Sequence, residues 1–107
     1  METHTVHTAD MAWEATSRFP GTAEAKVLRH EGERKARTLL IRLGAGGRVT
    51  PHSHIGTVQH YVLEGEYEAE GKVYGVGTYR LFHQHADVSE ISTQNGATIL
   101  MIYDPVA

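Results

Sequence analysis

The chain has 107 residues, which suits one domain with a single modest core. Its net charge is −3 with neutral histidines, and acidic and basic residues are mixed, so nucleic acid is not an expected partner. The sequence has no apolar run of the roughly 20 residues that span a bilayer, and its first residues do not predict a secretory signal. The lack of cysteine excludes disulfides and thiolate chemistry. We therefore expect a cytoplasmic protein that does not insert into a membrane.

The first 20 residues are irregular and are predicted to form an arm. Asp10 is a possible cap for a short helical turn, and Pro20-Gly21 predicts a turn. Trp13 and Phe19 are the apolar residues expected to pack this arm against the rest of the chain.

Short segments rich in Val, Ile, Leu, Thr and Tyr follow, separated by glycines. This pattern predicts an all-β domain of short strands, either a sandwich or a small barrel. The first clear strand, residues 35–43, turns Leu39, Ile41 and Leu43 to one face because side chains alternate along a strand.

The remaining segments continue this pattern. One strand is predicted to end at Gly65, and two short strands are predicted on either side of residues 75–77. The dipeptide Asn95-Gly96 lies between two apolar segments and is a strong hairpin signal. Pro105 is expected to end the last strand.

Histidines are concentrated in two stretches of the second half. His52 and His54 form a His-x-His pair, and their rings share one face if that segment is extended. Neutral imidazole is a ligand for zinc, copper, iron and nickel. Taken alone, the pair is a weak signal for a metal site, and the alternative is two exposed histidines that flank Ser53 by chance.

The context of this pair resembles the first motif of the cupin superfamily. In GGRVTPHSHIGTVQHYVLEGEY, Gly46, His52, His54 and Gly65 stand at matching positions. The segment GVGTYRLF resembles the start of the second motif.

From Trp13 onward, the chain is similar to the cupin domains of zinc-binding anti-sigma factors. The His52-x-His54 segment is also similar to 2,4'-dihydroxyacetophenone dioxygenase, a small iron cupin. The resemblance implies a single cupin-type β-barrel, or jelly roll, of six to eight strands in residues 21–107. Residues 1–20 would form its N-terminal arm.

Two ligand positions of the cupin motifs are changed in this chain. The glutamate of the first motif would fall at Val58 or Gln59, and the histidine of the second motif would fall at Val88. Valine cannot bind a metal, so the remaining ligands must come from other residues.

Other side chains are candidates to complete the metal shell. If Val58 faces inward, alternation also turns His60 inward. His85, or less favourably His83, would replace the missing histidine of the second motif. Glu70 would correspond to a glutamate that the dioxygenase relatives recruit from the next strand.

The resemblance thus implies a divalent transition metal, iron, zinc, nickel or copper, held by His52, His54, His60 and His85. Residues expected at the border of a substrate pocket are Gln59, Glu70, Tyr79 and His83. The alternatives are that His60 is a hydrogen-bonded barrel histidine without metal and that His83 and His85 are solvated loop residues.

The resemblance leaves several functions open. One is a dioxygenase-like oxidoreductase that cleaves a carbon–carbon bond of a small organic substrate. Another is a non-enzymatic module that senses a metal or a ligand, as implied by the anti-sigma-factor cupin domains. A third is a degenerate cupin without metal. In each case an exposed barrel edge and the arm favour a homodimer.

Overall fold

The computed structural model describes residues 3–16, 23–32, 34–53 and 55–106. The helical structure in these residues is one 3₁₀ turn at Thr8–Asp10, and the other regular elements are strands, which confirms the all-β prediction. The strands are β1 (Glu14–Ala15), β2 (Glu24–His30), β3 (Arg37–Leu43), β4 (Arg48–Val49), β5 (His52–Ser53), β6 (Val58–Ala69), β7 (Lys72–Gly75), β8 (Tyr79–Phe82), β9 (Asp87–Val88), β10 (Ile91–Ser92) and β11 (Ala97–Tyr103).

Most of the strands form one curled antiparallel sheet in the order β1-β2-β3-β11-β6-β10-β4. β7 and β8 also pair with β6, whereas β5 and β9 form a separate two-stranded sheet. β6 is the central strand, since four others pair with it. Its first half pairs with β8 and β11, and its second half pairs with β7 and β10. The closed arrangement gives the chain one interior.

β6 does not end at Gly65, so that prediction was wrong. Its register with β11 shifts between Thr98 and Ile99, and the strand continues to Ala69. Gly65 has φ 69°, and a Cβ there would overlap the carbonyl oxygen of Gly96. A glycine is needed because this backbone is left-handed and closely packed, so the residue bends the strand without ending it.

The core follows the period-two pattern of the strands. Leu39, Ile41 and Leu43 of β3 are all buried, which confirms the face predicted for this strand. Ile99 and Met101 of β11 pack against them in the same core cluster. β6 also contributes inward side chains on both sides of its bend: Val58, His60, Val62, Tyr67 and Ala69.

The N-terminal segment lies against the sheet. β1 pairs with β2, and the ring of Trp13 is covered by Lys26 and Arg42, whose charged groups lie 4.7 and 4.4 Å from its centre. Cations over an indole face are attracted by its quadrupole, so Trp13 tethers this segment.

Two other expectations for this segment have different outcomes. Asp10 ends the 3₁₀ turn and approaches His7 at 3.3 Å, so it does not cap the turn at its start as predicted. Phe19 and the expected Pro20-Gly21 turn lie outside the described residues.

The prediction of a hairpin at Asn95-Gly96 was wrong about which strands pair. β10 and β11, which flank this turn, each pair with β6 and not with each other. The hydroxyl of Thr93 accepts a hydrogen bond from the Gly96 N–H (3.0 Å) and donates one to the carbonyl of Glu66 (2.6 Å). The dipeptide specifies a tight turn locally, but the long β6 decides which strands pair.

No helix in the described part of the chain is long and apolar enough to cross a membrane.

Candidate functional site

A polar cluster lies inside the curled sheet, where β6 and β8 pair as neighbouring strands. His60 of β6 is 3% exposed and stands opposite Arg80 of β8. Its Nδ1 lies 3.2 Å from the hydroxyl oxygen of Tyr67, a fully buried residue, and Nη1 of Arg80 donates to the same oxygen at 3.2 Å. The inward direction expected for His60 is therefore observed, and the imidazole and the guanidinium meet at one hydroxyl.

Aromatic rings enclose this cluster. The ring of Phe82 is centred 4.8 Å from that of His60, and the guanidinium of Arg80 lies over Phe82 and Tyr74 at 4.7 and 4.3 Å. Aromatic faces stabilise a cation that has lost part of its water. In the described residues, every buried side-chain nitrogen or oxygen has a hydrogen-bond partner. The cluster is therefore a satisfied polar site in an otherwise apolar interior.

The donor chemistry of Arg80 fixes the direction of its hydrogen bond with Tyr67. An arginine can only donate, so the oxygen of Tyr67 accepts from Arg80. Burial raises the pKa of Tyr67, an effect that Arg80 opposes only in part. The phenol therefore keeps its proton at neutral pH, and the direction of its hydrogen bond with His60 follows the tautomer of that ring: the phenol donates to a bare Nδ1, or its oxygen accepts from Nδ1–H.

His52 lies on the core side of the small sheet. It stands directly opposite Val88, which is 2% exposed and belongs to the core cluster. Opposed residues of an antiparallel pair share a face, so His52 faces the core as well.

The tautomer of His52 follows from its backbone contact. Nδ1 lies 2.8 Å from the carbonyl oxygen of Thr50, and a carbonyl can only accept, so this nitrogen carries the proton. In the neutral ring the lone pair is then on Nε2. Metal-ligating histidines commonly donate their second nitrogen to a carbonyl in this way, so His52 fits the role of a ligand.

The two histidines of the β8–β9 connection are exposed. They lie in a turn in which the N–H of Ala86 donates to the carbonyl of His83 (3.0 Å), and His85 has φ 63°. Because the segment is a turn, the period-two argument for a shared face does not apply to this pair. His54, the second residue of the His-x-His motif, lies outside the described residues.

The residues expected to border a substrate pocket lie apart from the interior cluster. Gln59 lies between the inward residues of β6, and its side-chain oxygen accepts a 2.6 Å hydrogen bond from the exposed hydroxyl of Tyr79. Glu70 is exposed and accepts from Ser89 at 2.9 Å.

The inward positions of the two missing cupin ligands are apolar. Val58 and Val88 are buried in the core cluster at 1% and 2% exposure. No three His, Asp or Glu side chains approach closely enough to hold a metal within the described residues, a set that does not include His54. Of the four histidines predicted as metal ligands, the structure places His52 and His60 toward the interior and His85 in an exposed turn.

Sequence reasoning did not identify Arg80, and it treated Tyr67 as a packing residue. Arg80 lies two residues before the buried Phe82 on β8, so the two side chains share a face. This spacing is a local hint that Arg80 faces inward. Its contact with Tyr67 and its place opposite His60 depend on the register between β6 and β8, which a single sequence does not display.

Comparisons with known proteins agree with this architecture. Among curated protein sequences, none matches this chain. An RmlC-like cupin from Shewanella frigidimarina superposes with a TM-score of 0.78 at 18% identity, covering 97% of this chain and 92% of that one. An acetylacetone dioxygenase from Acinetobacter johnsonii gives 0.76 at 15% identity, covering 96% and 73%.

A third similar structure is the complex of Rhodobacter sphaeroides SigE with the anti-sigma ChrR. Its TM-score is 0.73 at 22% identity, with 92% of this chain and 52% of the matched chain covered. These likenesses establish the fold. The model of the ChrR cupin-like domain family matches residues 1–107, so this chain belongs to that family of cupins.

Proposed function

We propose that this chain is a metal-dependent cupin oxidoreductase of the dioxygenase type that acts on a small organic molecule. The observation that carries the proposal is the buried imidazole of His60, which lies inside the curled sheet with a second core-facing histidine, His52, on β5. Interior imidazoles are suited to iron, zinc, nickel or copper. The fold similarity to an acetylacetone dioxygenase supports the reaction class.

In this proposal, His52, His54 and His60 hold the metal, and His85 completes the shell from the β8–β9 turn. The bound metal would act as a Lewis acid that polarises and orients substrate oxygens. Tyr67 would fix the ring of His60 by accepting its Nδ1–H, which leaves the lone pair of the neutral ring on Nε2 for the metal. The apolar residues around the cluster would limit access of water.

The ligand assignment is tested by elemental analysis of protein expressed without a histidine tag. We expect stoichiometric transition metal in the wild-type protein and its loss in His52→Ala, because one imidazole of a small shell is removed. The matched control is His30→Ala, since His30 is an exposed histidine of β2. Stoichiometric metal in His52→Ala would contradict the assignment.

The reaction class is tested by oxygen uptake after loading with Fe(II). We expect uptake with at least one compound in a panel of β-diketones and hydroxyaryl ketones, and we expect it to be lost in His52→Ala. Metal-loaded protein that consumes no oxygen with any of these compounds would contradict the dioxygenase proposal.

That negative result would favour a second function, a module that senses a metal or ligand without turnover. The match to the ChrR cupin-like domain family and the fold similarity to the structure with the anti-sigma ChrR support this alternative. A sensor would show metal- or ligand-dependent changes in thermal unfolding while leaving every compound chemically unchanged.

A further inference from the structure

A cavity of about 200 Å³ lies beside β5 and is formed by three segments that are distant in sequence. One segment contains Arg34, Lys35 and Arg37, a second contains Ser53 and residues 55–58, and the third contains Tyr103, Asp104 and Val106. Its volume is suited to a ligand of a few heavy atoms, smaller than a typical drug-sized site.

The described residues that line this cavity carry three positive charges and one negative charge. Arg34, Lys35 and Arg37 face one carboxylate, that of Asp104, and none of the four takes part in the ion pairs of the described residues. Glu33, the neighbour of Arg34, lies outside the described residues and is left out of this count. Cations gathered in a concave site attract an anionic ligand more strongly than scattered surface charges do.

Arg37 is the best-positioned donor of the cavity. It is half-buried, and its guanidinium carbon lies 4.2 Å from the ring centre of Tyr103. Stacking uses the flat face of the guanidinium and leaves the N–H groups at its edge available for hydrogen bonds. A stacked arginine is therefore pre-organised to bind a carboxylate in a bidentate manner.

Backbone contacts hold the cavity walls in place. The carbonyl of Arg34 accepts from the N–H of Val106 (2.6 Å), and the N–H of Asp104 donates to the carbonyl of Thr57 (3.0 Å). Gly56 packs so closely that a Cβ there would come within 2.9 Å of the Val106 side chain. Walls fixed before binding reduce the entropy cost of holding a ligand.

Two residues of the cavity wall adjoin the strand of His52 and the core. Its wall includes Ser53, the residue after His52, and Val58, whose side chain belongs to the core cluster. A ligand anchored at the basic residues could therefore extend along this wall toward the His52 strand.

From these observations we propose that the cavity binds the carboxylate of a small organic acid, with Arg37 and Lys35 as its principal donors. The further consequence, that the substrate is an organic anion, rests on the proposed function. Carboxylate binding itself requires no metal.

The test uses metal-free protein and two ligands of matched shape, levulinate and its neutral methyl ketone analogue, 2,5-hexanedione. Binding is measured by NMR titration of the full chain. We expect levulinate to bind about tenfold more tightly than the dione, because a charge-assisted hydrogen bond stabilises only the carboxylate. Increasing salt should reduce this difference.

Variants assign the effect to the cavity. Lys35→Gln and Arg37→Gln should each remove most of the preference for levulinate, whereas Arg37→Lys should retain part of it because the charge remains. Lys72→Gln is the matched control, since Lys72 is an exposed lysine of β7 that does not line the cavity. Circular dichroism of each variant would verify folding.

Equal affinity for the two ligands, or no binding of levulinate at millimolar concentrations, would overturn the proposal. So would a preference that persists in both Lys35→Gln and Arg37→Gln. Since the protein is metal-free, these outcomes are independent of the proposed function. A metal-binding oxygenase that does not bind levulinate would leave the proposed function intact and remove only the carboxylate site.

Discussion

Two valines determine which ligands the interior can offer. The cupin motifs would place a glutamate at Val58 or Gln59 and a histidine at Val88, and both valines are packed in the core. The nearby inward donors are imidazoles, those of His52 and His60. At the scale of the residue, these two valines cannot supply the ligands of the cupin motifs.

Restoring the glutamate tests whether a metal can reach this position. Val58→Glu should lower the free energy of unfolding of the metal-free protein by roughly 2–4 kcal/mol, because a carboxyl group is buried without a partner. Added Zn²⁺ should recover part of this loss if the carboxylate can join the proposed shell. The measurement is urea unfolding with and without the metal.

Val62→Glu provides the control for this experiment. Val62 is as buried as Val58 and lies four residues further along the same face of β6. We expect it to lose similar stability without recovery by Zn²⁺. Equal recovery in both variants, or none in Val58→Glu, would contradict a metal centre beside Val58.

At the scale of elements, the β8–β9 connection combines a turn with two histidines. His85 occupies the left-handed region at φ 63°, which disfavours residues with a Cβ. Its exposed position is compatible with a mobile ligand but also with a plain turn residue. Backbone strain and ligand function can be separated because they respond differently to substitution.

His85→Gly should be more stable than His85→Ala by about 1 kcal/mol, since glycine adopts a positive φ without steric cost. Both variants should weaken metal binding to the same extent if the imidazole completes the shell. The measurements are urea unfolding for stability and competition with a chelator for affinity. Wild-type affinity in both variants would exclude His85 as a ligand.

At the scale of the whole molecule, the outer face of the sheet bears an apolar patch. Tyr61 and Leu63 of β6 and Tyr79 and Leu81 of β8 are 40–55% exposed. In the described residues β8 pairs only with β6, which leaves its other edge open. An open edge next to apolar side chains is the kind of surface that a second copy can cover by sheet pairing, so we continue to expect a homodimer.

Leu81→Lys should shift the protein from dimer to monomer, because a charge on the open edge opposes pairing between strands. The mass of the particle, measured by light scattering after size-exclusion chromatography, tests this. Val73→Lys is the control. Val73 is an exposed apolar residue of β7, the strand that pairs with the second half of β6. A monomeric wild-type protein, or a dimer unaffected by Leu81→Lys, would contradict the expectation.

Local patterns in the sequence predicted the all-β fold class and the inward direction of His60. The buried face of β3 could be predicted from Leu39, Ile41 and Leu43, because alternation is a local property of the chain. The cupin resemblance rests on glycines and histidines at fixed spacing, which is also local, and the family match over residues 1–107 agrees with it.

Tertiary structure alone decided which distant groups meet. Arg80 reaches the hydroxyl of Tyr67, which also contacts His60, because β8 pairs with β6 in one particular register. The Asn95-Gly96 turn joins strands that pair with β6 and not with each other. The basic cavity likewise brings together three separate segments. Each depends on pairing between distant strands, and a single sequence does not encode that register locally.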